Sequence, residues 1–115
     1  MVIVLFEVTL KEGKMADYLG CAEQLKEWLA HEEGFLSAER FSSLAAEGKL
    51  LSLSMWKDEE SVARWRNNLN HRMCQKIGRM QDFKDYKITV ASPLRTYTMQ
   101  DRGEAPEDAN TYFTG

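Results

Sequence analysis

LSLSMWKDEESVARWRNNLNHRMCQKIG, residues 51–78, is the stretch whose reading decides the fold. Its first six residues alternate: Leu51, Leu53 and Met55 point one way, and Ser52, Ser54 and Trp56 point the other. Asp58 then offers a carboxylate to the orphan amides of a helix start, and Glu59 and Glu60 follow where the helix dipole favours negative charge. Val62, Trp65, Leu69, Met73 and Ile77 recur at three and four residues, which predicts one continuous helix with an apolar face. A strand that breaks into a helix thus carries Trp56, Trp65, His71, Cys74 and Gln75 in a single unit.

Upstream, Val2 to Leu10 alternates with apolar residues on both sides, at Val2, Val4, Phe6 and Val8 and again at Ile3 and Leu5, so a well-buried strand is expected. Lys11 to Gly13 turns the chain into a helix over 14–33, and Gly34 is a natural residue to end it with positive φ. Phe35 to Leu44 reads as a strand whose muddled alternation suggests an edge or a bulge, and Ala45 to Lys49 as a hairpin loop. Downstream, residues 78–83 are an irregular link, and a last strand starting near Asp85 ends at Pro93. Residues 94–99 are a further extended piece. The order β-α-β-β-α-β predicts an α+β, ferredoxin-like subunit, a four-stranded antiparallel sheet with both helices on one face. Ile3, Leu5 and Ala91 leave the other face too apolar for water, so two copies are expected to pair through their sheets into an α+β barrel. Residues 1–100 form that domain. Residues 101–115 form an acidic tail expected to be flexible, with Tyr112 and Phe113 as docking candidates.

The chain has 115 residues, 29% of them charged, and a net charge of −3. Asp101, Glu104, Glu107 and Asp108 against Arg102 place that whole excess in the tail, so the body is neutral and has no general attraction for nucleic acid or anionic membrane. Between Ser61 and Gln81 lie Arg64, Arg66, Arg72, Lys76 and Arg79 with no acid among them. This reads either as a solvated helix face or as a surface that meets an anionic ligand or a partner's carboxylates. No run has the roughly 18 apolar residues of a membrane span, and MVIVLF reads as a strand rather than a leader. Cys21 and Cys74 are expected as free, partly buried thiols of a cytoplasmic protein, one disulfide being the alternative.

The polar inventory excludes several chemistries. His31, His71, Cys21 and Cys74 lack metal-site spacing, no nucleophile motif is present, and no glycine-rich loop follows the first strand. What remains is an apolar pocket between helices and sheet with a few polar groups in its wall. Trp65 is either core or a flat wall for a planar ligand. His71 is either a surface histidine or a pocket acid, base or ligand, and a single helix would set it about 120° from Trp65. Glu7 interrupts an apolar strand, so it lies at the wet margin of the sheet or points into a cavity or dimer seam.

VIVLFEVTLKEG (2–13), GFLSAERF (34–41), LLSLSMWKDEESVARWRNNLNHRMCQKIG (50–78) and FKDYKITVA (83–91) together resemble the antibiotic biosynthesis monooxygenase-like superfamily of dimeric α+β barrels, over residues 2–99. The resemblance implies fold and dimer more sharply than reaction. Haem-degrading members carry an asparagine late in the first strand, a tryptophan in the second long helix and a ligating histidine ten residues on. Here Trp65 matches, but Glu7 and Gln75 stand at the other two positions. Haem bound through a non-standard ligand is therefore the runner-up. The cofactor-independent members ask for less: a planar quinol, anthrone or phenol, deprotonated and shielded from water, donates electrons to O2 itself. The resemblance then implies a monooxygenase without cofactor, with Trp65 stacking on the ring and His71, Arg66 or Arg72 favouring the anion. A protein that binds such a molecule without turning it over is the competing class.

Overall fold

The computed structural model describes residues 1–114 and, at Leu69, Asn70, Tyr112, Phe113 and Thr114, the backbone alone. The docking role expected of Tyr112 and Phe113 thus lies outside the described side chains. The elements are β1 (Val2–Leu10), α1 (Met15–Ala30), β2 (Phe35–Ser42), β3 (Lys49–Trp56), α2 (Glu59–Arg66), α3 (Leu69–Ile77), β4 (Phe83–Ala91) and α4 (Glu107–Thr114). One antiparallel sheet has the order β2-β3-β1-β4, as the ferredoxin-like reading requires.

Strand register sorts the two faces. Val2 pairs with Trp56, Val4 with Ser54, Phe6 with Ser52 and Val8 with Leu50, so these lie on one side. Ile3 opposite Met55 and Ala91, Leu5 opposite Leu53 and Thr89, and Glu7 opposite Leu51 and Lys87 lie on the other. The helices pack on the first side. There Val8, Leu10 and Leu50 are buried beneath Met15 and Tyr18 of α1, with Phe6 and Phe83 beside them. At the far end Trp56 is almost wholly buried, between Phe35 at 5.4 Å and Trp65 of α2 at 6.4 Å between ring centres. β2 is an edge strand whose register shifts between Phe35 and Ser37, the bulge its muddled pattern predicts.

The turn chemistry follows the sequence closely. Gly34 (φ +87°) ends the α1 loop, and its carbonyl accepts Lys57 N–H at 2.8 Å. Asp58 caps α2 by accepting Ser61 N–H at 2.8 Å and Ser61 O–H at 2.7 Å. Arg64 fastens α2 to the end of α1 through the Glu33 carbonyl at 3.2 Å and the Glu32 carboxylate at 4.0 Å.

Three expectations are corrected. The continuous helix over residues 59–77 is two helices, broken at Asn67–Asn68, where Asn67 Nδ2 takes the Ala63 carbonyl at 2.8 Å and Asn68 Oδ1 accepts His71 N–H at 3.3 Å. Asparagine side chains compete with the helical ladder in this way, which is why they favour breaks and caps. As a result Met73, expected on the apolar face, is 65% exposed, and Ile77 is exposed too. The irregular link is a π-helix over Gly78–Asp82, and β4 starts at Phe83. Cys21 and Cys74 are not free thiols: they form a disulfide with Cα atoms 6.1 Å apart, joining α1 to α3. Within the acidic tail, residues 107–114 form α4.

Candidate functional site

Two side chains shortlisted from the sequence meet here. The break at Asn67–Asn68 redirects α3, so the His71 ring lies 4.9 Å from the Trp65 ring, centre to centre, at 34°. On one unbroken helix these two would diverge, so the geometry overturns that expectation. Phe35, Trp56, Trp65 and His71 form a continuous file of rings along one end of the sheet. Between this file and the Val8–Leu10–Leu50 cluster, the sheet carries Val4, Phe6, Ser52 and Ser54, all only half-buried. Small hydroxyl residues at the middle of an otherwise apolar, helix-facing layer leave space that large side chains would fill. Ser54 Oγ accepts the Trp56 indole N–H at 2.9 Å, which fixes the buried tryptophan's orientation.

His71 is half-buried, and burial is the main reason its pKa lies below the usual 6.5; the Arg66 backbone hydrogen bond works the other way, and the Arg72 charge lowers it further. The imidazole is therefore neutral at pH 7. Its Nδ1 is buried with no hydrogen-bond partner among the described residues. A buried polar nitrogen without a partner costs about 1–3 kcal/mol, a cost that a ligand bonding to Nδ1 would remove. The disulfide fastens α3 three residues further on, at Cys74.

The remaining candidates sit differently. Arg66 and Arg72 are exposed, and Arg72 hydrogen-bonds the Asn67 carboxamide at the break. Gln75 is half-buried. Glu7 lies on the opposite side of the sheet, between Lys87 Nζ at 3.0 Å and Lys49 Nζ at 3.6 Å, in a shallow recess completed by Thr9, Asp85, Tyr86 and Lys87. Lys87 holds its carboxylate below the usual pKa. The Glu7 position is separated by the sheet from Trp65 and His71, and Gln75 replaces the ligand, so the haem-degrading constellation is not assembled.

Sequence reasoning did not single out Ser52 and Ser54, which lie half-buried on the helix-facing side of β3. Their signal was present: two serines on the face of β3 that should be the more apolar one. It also missed buried Asp82, whose Oδ1 has no partner among the described residues. Asp82 belongs to the other end of the sheet, where its carbonyl accepts Lys11 N–H at 2.8 Å.

Comparison with known proteins bears on the family and the fold. Over 90 residues the chain is 39% identical to a jasmonate monooxygenase ABM of Pyricularia oryzae, covering 78% of this chain but only 42% of that relative's length. Among solved structures, Rv0793 of Mycobacterium tuberculosis superposes with a TM-score of 0.75 at 13% identity, over 84% of this chain and 98% of that one. SnoaB of Streptomyces nogalater, a cofactor-independent oxygenase, does so with a TM-score of 0.72 at 12% identity, over 83% and 94%. At such identities the two structures speak for the fold alone. Residues 1–77 match the family described as antibiotic biosynthesis monooxygenase. Match, relative and fold together make this chain a member of the antibiotic biosynthesis monooxygenase family.

Proposed function

We propose that the protein is a cofactor-independent monooxygenase that acts with O2 on a planar aromatic quinol, anthrone or phenol. The observation that carries this reading is the neutral His71 with its buried, unpartnered Nδ1, set against the face of Trp65. Trp65 aligns the substrate ring by stacking. His71 Nδ1 takes the acidic proton, the general-base step that neutral imidazole suits at pH 7. The electron-rich anion then reduces O2 directly. In an anthrone, one oxygen atom becomes the new carbonyl, and the other leaves as water with the two hydrogens that carbon loses. Arg72, whose charge His71 feels, favours the anion over the neutral acid, and Arg66 stands beside Trp65 in the same role. Half-buried Ser52 and Ser54 leave the volume in which this happens.

The relative from Pyricularia oryzae favours a second substrate, jasmonate, as its name states. The two readings share the site and differ in what stacks on Trp65. We further propose that the working unit is a homodimer closed through the sheet face carrying Ile3, Leu5, Leu51, Leu53 and Met55, since no helix among the described residues packs on it. A cytoplasmic setting, expected from the sequence, carries a condition: the Cys21–Cys74 pair would stand reduced there, and the disulfide persists in an oxidising compartment. No helix among the described residues is long and apolar enough to cross a membrane.

The test is oxygen uptake by protein stripped of metal, haem and flavin, with a reduced anthrone and then with jasmonate. Saturable uptake with either supports turnover and selects the substrate class. Saturable quenching of tryptophan fluorescence without uptake makes the protein a binding protein instead.

A further inference from the structure

We infer that the C-terminal arm, from Ser92 onward, is exchanged between two copies of this chain and lies across the cationic outer face of the partner's α3. This rests on the dimer proposed above. The arm does not belong to the body that carries it. A compact chain of this length has a radius of gyration of about 13 Å, whereas here it is 16.9 Å, with extents of 54 × 34 × 20 Å. Leu94 and Met99 are 91% and 85% exposed.

Yet the arm has internal order. The Arg102 guanidinium lies 4.9 Å from the centre of the Tyr97 ring and donates to Asn110 Oδ1 at 2.9 Å and to the Thr98 carbonyl at 3.3 Å. Thr98 and Asp101 close a turn through a 2.7 Å backbone bond. A shaped segment without a core of its own, holding large apolar side chains in water, is pre-organised for a surface elsewhere, because little ordering remains to be done on docking.

The surface that fits is on the same chain. Arg72 and Lys76 lie four residues apart on α3, one above the other, with Arg79 in the next turn. All three are exposed, and none has a carboxylate within 4 Å among the described residues. Met73 on the same helix is exposed, and Ile88 and Val90 of the edge strand β4 stand about half exposed on the helix side of the sheet. The arm brings the complementary set: Leu94 and Met99 for the apolar strip, and Glu107 and Asp108 for the cations, while Glu104 accepts the Thr96 N–H at 3.2 Å within the arm. Complementary charge fixes register and orientation. Since α3 also carries His71, an arm seated there would roof the partner's site.

Mixing the full-length protein made with natural nitrogen and with nitrogen-15, allowing exchange, and treating it with a carbodiimide tests this. Glu107 or Asp108 should cross-link to Lys76, with hybrid-labelled pairs as frequent as like-labelled ones, and Lys76→Gln should remove these links while leaving a dimer. Only like-labelled links would place the arm on its own subunit, and no link between these residues in a dimer would remove the arm from α3; either result overturns the inference alone. A monomer by light scattering overturns the dimer reading and the inference together.

Discussion

The ring of His71 lies against the ring of Trp65, 4.9 Å between centres, although the two residues are six apart and a continuous helix would point them about 120° apart. Two asparagines make the difference. By taking backbone partners at residues 63 and 71 they end one helix and start another, and the new direction brings the imidazole onto the indole. The same packing depresses the histidine's pKa and strands its Nδ1.

That depression links His71 to stability. Its pKa in the fold is below the unfolded 6.5, so the unfolded chain binds a proton first as pH falls. Stability is therefore complete above about pH 6.5 and declines below it, until the folded-state pKa is reached, by at most about 1.4 kcal/mol per pH unit. Glu7 and Asp58, also depressed, act only below their ordinary 4.5 and 3.8. Urea unfolding at pH 7 and pH 5.5 should show this loss in the native protein, and His71→Gln should flatten it.

Gly34 and Ser61 pack so closely that a Cβ on Gly34 would overlap Ser61 Oγ and stand 2.5 Å from Ser61 Cβ. Positive φ adds to the strain. Gly34→Ala should cost about 2–4 kcal/mol, read as a lowered denaturation midpoint, whereas Gly13→Ala, at similar φ but with open space around it, should cost less.

The disulfide spans 53 residues. A cross-link of that span contributes about 4 kcal/mol in the chain-entropy account. Cys21→Ser with Cys74→Ser should lose stability of that order, and a dithiol reductant should reproduce the loss in the native protein but leave the double variant unchanged.

Leu53 stands at the middle of β3 on the uncovered sheet face, beside Leu5. Leu53→Arg should convert a dimer to a folded monomer in light scattering, with circular dichroism unaltered, because the change puts charge into the proposed seam and leaves the helix side untouched.

Strand alternation, the Asp58 cap and the Gly34 turn made most of the fold legible, because each is a local rule obeyed locally. The bulge in β2 was legible for the same reason. The site was less so. An apolar spacing at Met73 and Ile77 that continues the Val62–Trp65 pattern looks like one helix, and only the tertiary environment shows that Asn67–Asn68 breaks it. The Cys21–Cys74 pairing depends on how α1 and α3 cross, which no spacing encodes.

The most direct test of the account is the single-turnover rate of oxygen uptake by His71→Gln, measured beside its substrate affinity. If Nδ1 is the base, the rate falls about 10²–10⁴-fold while affinity, carried by Trp65, stays within a few-fold of the native value. An unchanged rate in the folded variant would contradict it.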